Sequence, residues 1–468
     1  MRRDAMSAKI TTARALVSDL SNGTLEFQNV LATITARRAD LNPRINAFDS
    51  IVERPAVPGQ GPLHGLPITV KDQIAVKDQP LRFGLDRASD KPAEYTAPVV
   101  ERLVDAGAVV VGKTTLPPYA MDFQTSNARL GRTNNPWDLE RTCGGSSGGG
   151  AAAVASGMSL IDMGADLSGS LRLPAAFCGI CSLLPGEGQV PNDGMLQGRA
   201  RLAHFARPGP MARNIDDLRL IWEVLSGETA SASDDKPSLA IWTAGEKGPA
   251  TDQDIANRFA DVRRDSLANG AQVKGDPLEM LFEPEIYQVF GHIMGHETGG
   301  LMPWPIRMLA RVTGRGAAAR SPRFLAHIHE GYRRDRRRYE RACAARDTIL
   351  ETWTKQMEAF DAVLLPVCPV APFAHLPPDS DRGGIRDYHT GFKAVGEEVG
   401  YFDTLTTFTA PVTLLGLPVV TLPLGLDRQG LPIGGQLVGK AGGEHRLLDI
   451  AATISRLYDM PRPPVSAF

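Results

Sequence analysis

Apolar and polar residues recur along this chain with two periods, and each period predicts a set of elements. Between residues 25 and 41 apolar side chains return at roughly helical spacing until "NPRIN" interrupts them, which predicts a helix ending there. From 66 to 72 the period becomes two. Leu66, Ile68 and Val70 share one face and Thr69 and Lys71 the other, as in a half-buried strand with Lys71 at its end. Val99, Val100, Leu103 and Val104 mark a helix that delivers the chain into a short apolar strand over 108–112, a helix-to-strand step of an α/β fold. A helix over 148–156, a strand over 159–164, strands in "DAVLLPV" and "LPVVTLPLG", and an amphipathic helix over 447–457 complete the series. Residues 237–360 read as helical and arginine-rich. Asp335, Glu340 and Asp347 interleave the basic run "YRRDRRRYERACAARD", which is the pattern of a solvated helix face and not of a phosphate-binding surface.

Composition narrows the class. In 468 residues, 43% hydrophobic and 22% charged content is that of a globular chain able to bury a large core. A formal charge of -2 supplies no global field for nucleic acid or an anionic membrane, so neither is an expected partner. Five scattered cysteines, an odd number, suit reduced thiols and a cytoplasmic location better than a disulfide framework. Asp4, Lys9 and Arg14 interrupt any apolar leader, so no secretory signal is expected. The apolar stretch 411–426 holds three prolines and is too short to span a bilayer, so it reads as buried strand and turn.

The candidate chemistry lies in two loops and one strand end. In "RTCGGSSGGGAAAV" two serines stand side by side in glycine, followed by a helix-forming alanine run that makes a poor linker. A phosphate-cradling loop needs a lysine after its last glycine, and here Ala151 follows Gly150. Ser146 and Ser147 both fit G-x-S-x-G, yet "PWDLERTC" does not read as the strand that a nucleophile elbow requires. Further on, "GADLSGSLRLP" presents Ser170 ahead of a helix-forming segment, among backbone N–H groups able to converge on one oxygen. With Lys71, these serines form a hydrolytic constellation, although each alone also suits a helix cap. Cys178 and Cys181 match C-x-x-C, a redox or metal motif in other settings. His292 and His296 lie one helical turn apart without the glutamate of a zinc-protease motif, so no metal site is expected. Trp304, Tyr332 and Tyr401 are candidates for a pocket wall or for core.

In the order "GPLHGLPITVKDQI", "GKTTLPPYAMDF", "GRTNNPWDLERTCGGSSGGGAAAVASG", "GADLSGSLRLPAAFCGICSLLPG", "RPGPMARNIDDL" and "GLPVVTLPLGLDRQGLPIGGQLVGKAGGEHRLL", the chain resembles the amidase signature family. The resemblance implies a single α/β domain over 1–468, a mixed central sheet flanked by helices on both faces, with 237–360 as a variable helical segment shaping the pocket. It implies a Ser-Ser-Lys triad of Lys71, Ser146 and Ser170. Ser146 would follow a cis peptide bond from Gly145, and Ser170 would be the nucleophile. The N–H groups of Leu167, Ser168, Gly169 and Ser170 are expected to form the oxyanion hole, with Asp166 and Arg172 bracing the loop. The implied reaction is hydrolysis of a small-molecule carboxamide without metal or organic cofactor. The rival readings are acyl transfer, one component of an amidotransferase assembly, or an impaired relative that serves in binding. A homodimer is compatible with all of them. The sequence departs from the family at Ala165 and Ser168 of "GADLSGS", where threonine and glycine are usual, and at "LLPGEGQV". A positive φ at Ser168 would strain the oxyanion loop.

Overall fold

The structure, a computed structural model, describes residues 12–85, 91–196, 202–231, 233, 235–244, 248–273, 278–377, 391–458 and 460–466. Helix α1 (Ala13–Ser21) starts where the Thr12 hydroxyl accepts the Ala15 N–H at 3.2 Å, a side-chain cap. Helix α2 (Phe27–Ile45) buries Val30, Ile34, Leu41 and Ile45 on one stripe. It runs through Pro43, past the break expected at "NPRIN", and stops at Asn46, whose left-handed backbone donates to the Asn42 carbonyl. The Asn42 side chain takes up the next N–H, that of Ala47, at 2.8 Å.

Strands β1 (Phe48–Ile51) and β2 (Pro67–Lys71) precede helix α3 (Pro98–Asp105) and strand β3 (Val109–Thr114). Every residue of β2 is buried, where the alternation predicted a half-buried strand. The polar face of β2 is covered by the small residues of α4 (Gly148–Ala155), so Thr69 and Lys71 are enclosed as well as Ile68 and Val70. Then come β4 (Ile161–Asp166), α5 (Arg172–Cys178), β5 (Cys181–Leu184), β6 (Arg207–Ala212) and α6 (Ile215–Ser226).

The segment 237–360 is not helical throughout. It opens with β7 (Ser238–Ile241), continues through α7 (Gln253–Ala268), and adds the two-residue strand β8 (Gln272–Val273). Strands of four and two residues are too short for a period to register. Helices α8 (Pro284–Leu301), α9 (Trp304–Arg320), α10 (Leu325–Gly331) and α11 (Arg336–Gln356) follow, then β9 (Ala362–Pro366). The chain ends with α12 (Tyr401–Thr406), α13 (Thr409–Leu415), β10 (Val419–Leu426), β11 (Pro432–Val438) and α14 (Glu444–Ser455). The stretch expected as strand and turn from 411 is thus helix first. Pro411 falls in the first turn of α13, where its missing N–H costs little, and Gly416 ends the helix in the left-handed region.

Eleven strands form one sheet in the order β1-β3-β2-β4-β6-β5-β10-β11-β9-β7-β8. β2 runs parallel to β3 and β4, and β9 and β8 run parallel to β7; the other neighbours are antiparallel. This is a mixed α/β sheet flanked by helices on both faces. Among the described residues no helix is long and apolar enough to cross a membrane.

Candidate active site

The β2–β4 pairing builds the site. Ile68, Thr69 and Val70 lie opposite Ile161, Asp162 and Met163 in parallel register, so Lys71 at the end of β2 and the loop after Asp166 emerge at the same edge. Ligands of parallel α/β sheets gather at such carboxyl ends. Above them the chain passes through the cis peptide Gly145–Ser146 and enters α4. Two contacts of Ser147 join the loops: its N–H donates to the Ser170 carbonyl at 3.0 Å, and its hydroxyl donates to the Ala165 carbonyl at 3.1 Å.

Lys71 is completely buried, with Nζ 2.7 Å from Ser146 Oγ, 2.9 Å from Ser147 Oγ and 3.5 Å from the Ala165 carbonyl. Burial pulls its pKa down to about 7, against the upward pull of Asp166 and Asp162. Near neutral pH a sizeable share of the side chain is therefore free amine. Ser146 is also fully buried, whereas Ser170 keeps 7% exposure and its hydroxyl makes no hydrogen bond among the described residues. Of the three side chains, the structure joins Lys71 to Ser146 directly. Ser170 joins the cluster through its backbone carbonyl, and the hydroxyl-to-hydroxyl bond expected between Ser146 and Ser170 is not formed. Contacts of this kind commonly tighten only around a substrate.

Asp166 organises the loop before Ser170. Its carboxylate accepts the N–H groups of Gly169 at 2.7 Å, Leu171 at 3.0 Å and Arg172 at 3.3 Å. Arg172 Nε and Nη2 reach it at 3.1 and 3.0 Å. Burial pushes the Asp166 carboxyl up, but Arg172 and the N–H groups of Leu171 and Gly169 outweigh it and hold the pKa at about 2. The rest of the guanidinium meets the Thr409 carbonyl, Gln436 Oε1 and Thr413 Oγ1. Arg172→Met is expected to strand a buried carboxylate and cost about 3–5 kcal/mol of stability, measured by urea unfolding. A loss within the error of the unfolding curve would show that the loop holds itself without the pair.

Two expectations about this loop change. The Gly169 N–H, expected among the oxyanion donors, is engaged by Asp166, while those of Leu167, Ser168 and Ser170 meet no protein acceptor among the described residues. Ser168 does not adopt a positive φ, so the serine causes no strain there. The left-handed position is Gly169, at φ 124°, where a Cβ would stand 2.8 Å from Thr409 Oγ1. Ala165 serves the site through its backbone, which a threonine would share.

The other candidates separate. Cys178 and Cys181 are buried and unbridged, and burial pushes both thiols up, that of Cys181 to about 12. His296 stacks on Tyr339 at 4.2 Å. His292 Nε2 instead lies 2.8 Å from Glu330 Oε2, with His327 beside them, and the donor atoms of these three residues fall within 4.8 Å of one another. Arg338 Nη1, 3.2 Å from the same Glu330 oxygen, already meets its charge, so the group works as a clamp between α8 and α10. Trp304 faces solvent, Tyr332 is core, and the buried Tyr401 hydroxyl donates to Asp122 Oδ1 at 2.7 Å. A cleft of about 400 Å³ lined by Arg141, Asp252, Phe373 and Gln429 shares no residue with the serine–lysine cluster. Sequence reasoning missed Ser147 as a lysine partner and the buried Asp162, whose charge acts on Lys71. The available signal for Asp162 was an acid inside the otherwise apolar "SLIDMG".

Comparison with known proteins agrees with this architecture. The Amidase family profile matches residues 43–260 and 307–448. The A-subunit of glutamyl-tRNA(Gln) amidotransferase from Cyanothece sp. is 31% identical over 86% of this chain and 85% of its own length. The protein of the same name from Methanosarcina mazei is 29% identical over 86% and 87%. The crystal structure of its Thermotoga maritima namesake superposes with a TM-score of 0.75 at 25% identity, covering 94% of this chain and 95% of that one. A 6-aminohexanoate cyclic dimer hydrolase shares the fold with a TM-score of 0.80 at 23% identity, covering 97% and 99%. With the family profile spanning well over half its length, this chain belongs to the amidase signature family of enzymes.

Proposed function

We propose that the protein hydrolyses a small carboxamide through an acyl-Ser170 intermediate, with Ser146 and Lys71 relaying the proton. The observation that carries this reading is the wholly buried Lys71 amine, 2.7 Å from Ser146 Oγ and with a pKa near 7. A serine hydroxyl is a weak nucleophile that needs a base, and a lysine is a base only when its surroundings keep it neutral. Ser170 Oγ attacks the carbonyl carbon as its proton passes to Ser146 and that of Ser146 to Lys71. The N–H groups of Leu167, Ser168 and Ser170 receive the oxyanion, each such donor being typically worth about 3–4 kcal/mol in the transition state. The proton then returns to the departing nitrogen, the amine or ammonia leaves, and water cleaves the ester to carboxylate. No metal or organic cofactor enters this scheme. The five free thiols suit a reducing, cytoplasmic setting.

A buried aromatic cluster packs behind the Gly145 loop. Phe123, Phe324 and Phe402 have ring centroids 6.0–6.3 Å apart, and Tyr401 packs on Phe402 at 5.1 Å. Phe123 borders the Gly145 backbone so closely that a Cβ on Gly145 would stand 2.7 Å from its carbonyl carbon. Against a panel of aryl, aliphatic and carboxylate-bearing amides, the purified protein is expected to release carboxylate and amine. Failure on the whole panel, together with no fluorophosphonate adduct on Ser170, would overturn the reading.

The relatives named as amidotransferase components favour a second reading, ammonia supply within a multi-chain amidotransferase. Turnover that appears only with a co-purifying partner would select it over independent hydrolysis.

A further inference from the structure

Asp162 in β4 is wholly buried. Its Oδ1 accepts hydrogen bonds from Thr69 Oγ1 at 2.8 Å and Thr114 Oγ1 at 3.0 Å, and its Oδ2 has no partner among the described residues. The helix above leaves room for that oxygen only because residue 150 is glycine: a Cβ there would stand 2.0 Å from Oδ2. Its two hydroxyl donors lead to Lys71. Thr69 is the register partner of Asp162 and stands two residues before Lys71 on the same face of β2, and Thr114 is the register partner of Lys71 in β3. An orphaned carboxylate oxygen in a dry interior is costly, and an asparagine would satisfy both threonines equally well. What the acid adds is a titratable charge within electrostatic reach of the amine.

We propose that Asp162 is a positioning residue for the proton of Lys71: the buried carboxyl and the buried amine share one proton, so that protonating Asp162 leaves Lys71 free as a base. The proposal rests on Lys71 acting as the base in the function proposed above. The two forms, carboxylate with ammonium and carboxylic acid with amine, contain the same atoms and total charge. Only the ion-pair form bears the burial penalty on both groups. Burial raises the Asp162 pKa to about 6, against the hydrogen bonds of Thr69 and Thr114 and the charges of Lys71 and Lys113, and lowers that of Lys71 to about 7. Burial thus pushes both groups toward their neutral forms and narrows the gap between the ion pair and the neutral pair.

Other charges face this pair. Lys113 of β3, also wholly buried and with its pKa lowered by burial to about 8, points its Nζ at the carbonyls of Asp72 and Ile74, at 3.0 and 2.8 Å, and the buried Asp72 carboxyl, raised by burial, favours its charged form. Asp166, further along β4, is paired with Arg172 of α5 yet still exerts the larger upward pull on Lys71; with its pKa held at about 2, it stays charged across the window and so contributes a constant background. The residues of α4 are all glycine, alanine and valine and bring no charge.

The test is the pH dependence of fluorophosphonate labelling of Ser170 in the intact protein, which needs no known substrate. Two coupled groups give the wild type a shallow, two-step acid limb, because part of the singly protonated form already holds neutral Lys71. Asp162→Asn removes the negative charge that favours the ammonium. Its limb is expected to steepen to a single proton and move to lower pH by about one unit. Thr114→Val, which weakens the hold on the carboxylate, is expected to move the limb the same way by less, and it decides the matter if Asp162→Asn does not fold. A wild-type limb of one full proton, or a limb unmoved in the variants, overturns the role of Asp162. Absence of labelling at Ser170 in the wild type instead overturns the proposed function.

Discussion

A Ser170→Ala chain is expected to fold as the parent does and to lose amide turnover by a factor on the order of 10⁶ in kcat, the scale seen when a hydrolase nucleophile is removed. The fold should survive because the Ser170 hydroxyl holds no hydrogen bond among the described residues, so truncation strands no partner and removes only one oxygen atom. The backbone contact that ties residue 170 to the cluster, its carbonyl accepting the Ser147 N–H, is unaffected by the side chain. Three measurements belong together: steady-state product release, mass spectrometry for an adduct after fluorophosphonate treatment, and a thermal melt. Parent-like turnover in a folded variant would place the nucleophile elsewhere.

Lys71→Met is expected to lower turnover by about 10²–10⁴-fold, the usual contribution of a general base. The sign of the pH dependence follows from the shift. The active form is the free amine, so the parent rate rises as pH increases through about 7, and the variant should lose that limb along with the rate. Stability carries the same signature. The folded pKa near 7 lies below the ordinary 10.5, so between these values the unfolded chain holds a proton that the folded chain does not. Folding stability gains with pH across that window, and the penalty is complete below it. Lys71→Met should remove the Lys71 share of this slope, most visibly between about 7 and 8, while the buried Lys113, lowered to about 8, keeps its own share above that, read by urea unfolding at several pH values. A variant that keeps the acid limb near pH 7 would show that another group is the base.

How much of this is legible in the chain depends on the range of the interaction. The period of two over 66–72 puts Lys71 at a strand end, and β2 closes at that residue. The alanine run after the glycines announces α4, and the helix begins at Gly148. Full enclosure of β2 is not legible, because alternation normally signals one wet face; the cover over Thr69 and Lys71 comes from a helix far along the chain. Ser168 draws suspicion because glycine is usual there, yet the backbone places its left-handed turn at Gly169 instead. The helical reading of 237–360 overlooks β7 and β8, which exist because the sheet edge supplies pairing partners, not because their own residues repeat.

What the sequence by itself determined is local: a strand ending in lysine, two glycine-framed serine loops each opening a helix, and the order of motifs that marks the family. Only the tertiary structure decided which groups meet. Lys71 and Ser146 touch across 75 residues of chain, and Thr69 and Asp162 across 93. Those contacts depend on the parallel register of β2 and β4 and on how closely α4 sits on them, and nearest-neighbour periodicity carries no information about either. The unpartnered oxygen of Asp162, the occupied N–H of Gly169 and the depressed pKa of Lys71 all arise from that packing.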